Sequence, residues 1–341
     1  MTLDLPLIWA GVIAAAVLLY VLLDGFDLGV GILFPFARSP ADRDVMMSSI
    51  APFWDGNETW LVLGGGGLFA VFPLAYALVM PALYLPIYLM LIALVLRGVA
   101  FEFRLHGRRS GKRFWTAAFA GGSLTAAFAQ GLVLGGFIQG VRAKDGAFAG
   151  GPFDWLTPYC VLIACGLVCG YALLGAAWLV LKTRDQLHGD ARRWTSIGAA
   201  ATAAFLLLVS VASLAVHPRI AERWGLVGHA IDLARLLKLA PIPLLGLFGL
   251  LAIVRGLRRR SHVWPYAGAA LVFLSGYLGL AVDFFPYVAP YVLTFREAAA
   301  ADNALGLMFG GLCIILPAIL GYTAWVYWLF RGKVGEDAGY H

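Results

Sequence analysis

An all-α, polytopic membrane protein is the fold this sequence predicts, and three observations predict it. The 341 residues are 61% hydrophobic and only 13% charged, about half the charge of a typical soluble domain. Mean hydropathy is +0.84. Nine stretches come close to or exceed the ~20 apolar residues that a helix needs to cross a bilayer. They run roughly over 7–35, 59–77, 79–101, 114–139, 156–181, 195–216, 232–254, 264–285 and 304–330. Together they predict one integral membrane domain over 1–341. The second and third are separated only by a short turn near Met80-Pro81, and the longest connection runs from 36 to 58. The start, Met1-Thr2-Leu3-Asp4, has no basic segment or small-residue cleavage pattern, so no cleaved signal is expected.

Loop charge orients the spans. With the N-terminus outside, the inside segments hold 18 Lys or Arg. These are Arg38, Arg43, Arg97, Arg104, Arg108, Arg109, Lys112, Arg113, Lys182, Arg184, Arg192, Arg193, Arg255, Arg258, Arg259, Arg260, Arg331 and Lys333. The outside loops hold 5: Arg142, Lys144, Arg219, Arg223 and Arg296. Arg235 and Lys238 fall at the outer end of the seventh span. This bias predicts the N-terminus outside and the C-terminus in the cytoplasm. The net charge of +6 is thus a topology signal, and no nucleic-acid partner is expected. Tyr322, Trp325, Tyr327 and Trp328 end the last span as interfacial anchors do.

The first span carries Asp24 and Asp27 in Leu23-Asp24-Gly25-Phe26-Asp27-Leu28-Gly29-Val30-Gly31. An ionised side chain in hydrocarbon costs at least ~3 kcal/mol, so such groups face a protein interior or a water path. At a spacing of three they share a helix face. A second cluster, Trp54-Asp55-Gly56-Asn57-Glu58-Thr59-Trp60, stands at the inner mouth of the second span. Low dielectric disfavours the charged form of a carboxylate, which lets it trade protons near neutral pH. Proton or cation handling is one reading of Asp24 and Asp27; a polar patch hydrogen-bonded to neighbouring helices is the other. Asp55 is also able to cap a helix starting near Asn57, and Glu58 suits a positive helix N-terminus. Glu102, with Arg97 and Arg104, ends the third span as a proton-path, ion-pair or snorkelling group. Asp283 reads as a wet aromatic-belt residue, and Glu297 and Asp302 as solvated polar residues.

Cys160, Cys165, Cys169 and Cys313 lie in apolar stretches and read as packing residues; no metal site is expected. His106, His188, His217, His229, His262 and His341 all fall in or beside loops or in the tail. A haem held by two histidines at mid-membrane is therefore not expected in this chain, while a Met ligand stays open. Among the 41 glycines, Gly25-x-x-x-Gly29, Gly131-x-x-x-Gly135, Gly136-x-x-x-Gly140 and Gly306-x-x-x-Gly310 allow close helix contact. Gly64–Gly67 form an unbroken run that would let a helix distort.

The Asp-Gly-Phe-Asp segment and Ser49-Ile50-Ala51-Pro52-Phe53-Trp54-Asp55-Gly56-Asn57-Glu58-Thr59-Trp60-Leu61 resemble the signature of cytochrome bd-type quinol oxidase subunit II. Arg97-Gly98-Val99-Ala100-Phe101-Glu102-Phe103-Arg104 and Tyr322-Thr323-Ala324-Trp325-Val326-Tyr327-Trp328 extend the resemblance over nearly the whole chain. It takes in the cyanide-insensitive subgroup, a property set largely in subunit I. The resemblance implies a haem-free subunit of a respiratory quinol:oxygen oxidoreductase in the bacterial cytoplasmic (inner) membrane. Haem b and haem d would sit in the partner, subunit I. This chain would support subunit I and supply cytoplasmic protons for reduction of O2 to water. Quinol, lipid and a small single-span accessory subunit are the further implied partners, with a structural quinone whose site no residue here identifies. By carry-over, Asp24, Asp27 and Asp55 match the family's acidic positions and Glu102 an acidic position ending the third span. Glu58 stands where some members have Gln. The rival reading is an H+- or Na+-coupled secondary transporter, which requires a broken mid-membrane helix, with Gly64–Gly67 as its candidate.

Overall fold

The computed structural model describes residues 3–106, 111–227 and 230–335. The helices in chain order are α1 (Leu5–Leu33), α2 (Pro40–Ile50), α3 (Trp54–Val71), α4 (Pro73–His106), α5 (Lys112–Gln139), α6 (Pro158–Lys182), α7 (Asp185–Val216), α8 (Pro218–Arg223), α9 (Leu233–Leu239), α10 (Pro241–Arg258), α11 (Trp264–Phe284) and α12 (Asp302–Leu329). Among the described residues, eight are long and apolar enough to cross a membrane: α1, α4, α5, α6, α7, α10, α11 and α12. α3 occupies the place of the second predicted span. Its 18 residues rise about 27 Å, close to the thickness of the hydrocarbon core. Arg108, Arg109, His229 and His341 lie outside the described residues, as does the His106 side chain.

Two predicted boundaries move, both because hydropathy is blind to a tight turn. The turn between the second and third spans falls at Phe72, not Met80-Pro81. Phe72 leaves the helical region (φ −125°, ψ 61°) and Pro73 opens α4. Pro81 and Pro86 lie inside α4, where the missing N–H groups and crowded rings produce a kink at Leu83 (φ −119°, ψ 15°). The stretch 232–254 divides at Ala240-Pro241 into α9 and α10. The long connection 36–58 folds around α2, whose start is held by a reciprocal Ser39–Asp42 capping box. Pairs of two- or three-residue strands close three of the loops. In the first, Ala143–Lys144 pairs with Ala147–Phe148 across Asp145-Gly146, both at positive φ.

The core forms where α1 crosses α6. A Cβ added at Gly29 would stand 1.8 Å from the Tyr171 carbonyl oxygen, and one at Gly175 would stand 2.3 Å from the Gly29 carbonyl carbon. Only glycines allow these backbones to touch. Around the crossing, Phe26 stacks on Trp178 at 4.0 Å, and Tyr266, Tyr327 and Phe53 close the aromatic cluster. The basic ends of α6 and α12 meet. There Lys182 donates to the carbonyls of Phe330 and Gly332, and Lys333 donates to that of Thr183 at 3.0 Å. The segment after α12 is thereby tied to the end of α6. α12 itself is held loosely, with Leu307 81% and Ile314 76% exposed. Gly310 meets nothing within 4 Å in this chain. The Gly64–Gly67 run stays helical within α3, so the candidate break of the transporter reading is absent there.

Candidate functional site

Arg97 is the centre that joins the two acidic motifs. It stands nine residues before the end of α4 and is 1% exposed, so it lies inside the helix and the bundle rather than in an inside loop. One guanidinium nitrogen, Nη1, donates to Asp24 Oδ1 and to Glu58 Oε1, each at 2.8 Å. α1 supplies the fully buried Asp24, and the second turn of α3 supplies Glu58, whose side chain is 27% exposed. Asp27, also fully buried, accepts from Asn57 Nδ2 at 2.6 Å. Asn57 in turn accepts from the Tyr327 hydroxyl at 3.0 Å and donates to the Leu23 carbonyl. Three carboxylates therefore share the surroundings of one guanidinium. Asp24 Oδ2, Asp27 Oδ1, Arg97 Nη2 and Trp60 Nε1 are buried with no protein partner. Taking such an excess of negative charge out of water is costly unless protons or cations offset it.

The remaining candidates take different places. Asp55 is exposed in the first turn of α3. α3 begins at Trp54 rather than near Asn57, and no side chain caps it, so Asp55 acts on the helix only through its charge near the N-terminus. Asp55, Thr59, Val62 and Phe69 lie along one exposed stripe of α3. Glu102 is exposed on α4, more than a turn beyond Arg97. Arg104 is buried, pairs with Asp44 at 2.8 Å and lies over the Phe34 ring. Asp283 is half-buried and accepts from Trp224 Nε1 at 2.9 Å. Glu297 accepts from the Thr294 backbone and hydroxyl, which hold its carboxyl below the usual range.

Three residues that sequence reasoning left unmarked continue the polar chain beside Asp24. Gln130 of α5 donates to the Tyr20 hydroxyl at 2.6 Å and accepts from the Tyr171 hydroxyl at 2.8 Å. Tyr20 is one turn from Asp24 on α1, so a tyrosine at i−4 from an intramembrane acid was the available signal. A separate apolar groove of about 270 Å³ lies between α1, α3 and α12, with Ile8, Leu19, Trp60 and Leu316 in its walls.

A sequence profile described as "Cytochrome bd terminal oxidase subunit II" matches residues 5–330. The chain is 27% identical to "Cytochrome bd-I ubiquinol oxidase subunit 2" of Escherichia coli (strain K12), over 98% of this chain and 96% of that one. It is 29% identical to "Cytochrome bd ubiquinol oxidase subunit 2" of Bacillus subtilis (strain 168), over 96% of each. Its fold matches a chain of the bd oxidase from Geobacillus thermodenitrificans with a TM-score of 0.75 at 17% identity. That match covers 97% of this chain and 100% of the other, and it is a likeness of fold.

Proposed function

We propose, since this chain belongs to the cytochrome bd terminal oxidase subunit II family, that it works in a bacterial inner-membrane quinol oxidase by passing protons toward its partner subunit. The observation that carries this reading is a graded series of acids about Arg97. Asp55 is exposed, Glu58 one turn further is partly exposed, and Asp24 and Asp27 are fully buried. A proton taken up at Asp55 has Glu58 as its next acceptor on the same face of α3. Glu58 and Asp24 are held on one guanidinium nitrogen, which fixes both carboxylates and keeps its own protons. The loop charges support a cytoplasmic opening, because Asp55 and Glu58 lie at the end of α3 that follows the Arg38 and Arg43 connection. Asp27 is the acid fixed by Asn57, which Tyr327 holds in turn, and it acts with Asp24 at the buried end.

The partner is subunit I. The apolar part of the exposed α3 stripe, Val62 and Phe69, and the bare faces of α12 support docking there. Haems b and d, which would supply electron transfer and oxygen reduction, belong to that partner. The described histidines stand at helix ends or in loops (His188, His217 and His262), a placement unlike a pair of haem ligands at mid-depth. The groove beside Trp60 is apolar enough for a quinone tail, which supports a structural quinone against α1, α3 and α12.

The test is quinol-dependent oxygen consumption by the purified complex. Asp55→Asn is expected to slow turnover by roughly 10²-fold, the usual worth of a positioned proton-transfer group. Glu102→Gln, outside the graded series, is expected to stay near the wild-type rate. Equal rates for Asp55→Asn and wild type, or a deep loss in Glu102→Gln alone, would place proton passage elsewhere.

A further inference from the structure

No Asp or Glu lies between Asp232 and Asp283, so the α10–α11 hairpin is free of carboxylates up to Asp283, at the end of α11 far from its turn. The last turn of α10 and the two residues after it carry Arg255, Arg258, Arg259 and Arg260. Arg255, Arg258 and Arg259 are exposed, and among the described residues none of them makes an ion pair. Together with Leu251 and Val254 they line a cavity of about 400 Å³. Above it, Leu244, Leu247 and Phe248 are each more than half exposed. These residues recur at helical spacing, so one face of α10 is apolar along its length and cationic at its end. The opposite face, with Gly249 and Gly256, packs against α11.

We propose that this end of α10 is a binding site for an anionic phospholipid. The guanidinium groups of Arg255, Arg258 and Arg259 would engage the phosphate, for which their planar forks are suited. The acyl chains would lie along Leu251, Val254, Leu247 and Leu244. From residue 244 to 254 the helix rises about 15 Å, half the hydrocarbon thickness and so one leaflet's depth. An acidic protein segment would match the arginines but leave the apolar stripe unexplained. A ligand anionic at one end and apolar over one leaflet matches both. The inference draws on no part of the Arg97 cluster.

The experiment uses the intact detergent-solubilised complex, equilibrated with equal phosphatidylglycerol and phosphatidylcholine and then washed. Mass spectrometry reads the retained lipids. Wild type is expected to enrich phosphatidylglycerol, and enrichment should fall as salt is raised. Each Arg→Gln change among the three is expected to lower it by about five-fold until no preference remains. Replacing all three by Lys preserves the topology-setting charge and is expected to give an intermediate value. The salt series on wild type needs no variant, so a failure of the Gln protein to assemble leaves the test intact. No preference for phosphatidylglycerol in wild type would overturn the proposal. So would displacement of that lipid by equimolar inorganic phosphate, which would make the site one for phosphate alone. Disulfide or photochemical capture of a protein at Val254→Cys in native membranes would replace the lipid with a partner chain.

Discussion

Arg97→Leu is expected to abolish accumulation of the complex. The change leaves Asp24, fully buried, and Glu58 without their cation. Breaking a buried ion pair from one side costs about 3–5 kcal/mol, a large part of the stability of most folded proteins. The measurement is the amount of intact complex in solubilised membranes, followed by its melting temperature. Adding Asp24→Leu and Glu58→Gln to Arg97→Leu should restore part of the yield, because it removes both carboxylates that Arg97 paired and leaves only Asp27, which Asn57 still holds. A single variant that accumulates and melts like wild type would show that the guanidinium does not balance these acids.

Gly29→Val should be nearly as damaging for a different reason. Any Cβ there would lie 1.8 Å from the Tyr171 carbonyl oxygen, and backbone cannot yield as a side-chain tip can. α1 and α6 would have to separate, at or beyond the upper end of the ~1–3 kcal/mol typical of overpacking. The shift would also carry Asp24 and Asp27 away from Arg97 and Asn57. Gly189→Ala serves as the control, since Gly189 lies in α7 with nothing within 4 Å of an added Cβ. It is expected to be neutral or slightly stabilising through helix propensity. Comparable yields from Gly29→Val and Gly189→Ala would contradict the close crossing.

Much of this architecture was legible because hydropathy, loop charge and small-residue spacing are local signals. The Gly25-x-x-x-Gly29 motif marked a real crossing. Gly306-x-x-x-Gly310 looked the same in sequence but faces outward, since spacing says nothing of which neighbour arrives. Proline placement at 73 and 241 held the signal for both misplaced turns, as a residue that suits the first turn of a helix. The acids were visible because they are expensive in an apolar span. Arg97 was not, because a basic residue near a predicted span end reads as a topology charge. Only the extension of α4 to His106 puts it more than two turns inside. Asn57 likewise resembled a helix-start residue, and its bond to Asp27 joins residues 30 positions apart. Such pairings arise from packing that no local pattern encodes.

The central claim is that protons reach the partner through Asp55, Glu58 and the buried pair about Arg97. It is tested most directly by time-resolved proton uptake during a single turnover of the reduced complex with oxygen, using Glu58→Gln. That variant keeps a hydrogen-bond acceptor for Arg97 while removing the titratable group. Proton uptake and the oxygen-reduction step that depends on it should slow together by roughly 10²-fold, with quinol binding unchanged. Uptake at the wild-type rate and stoichiometry in an assembled Glu58→Gln complex would contradict the account and leave the cluster a structural one.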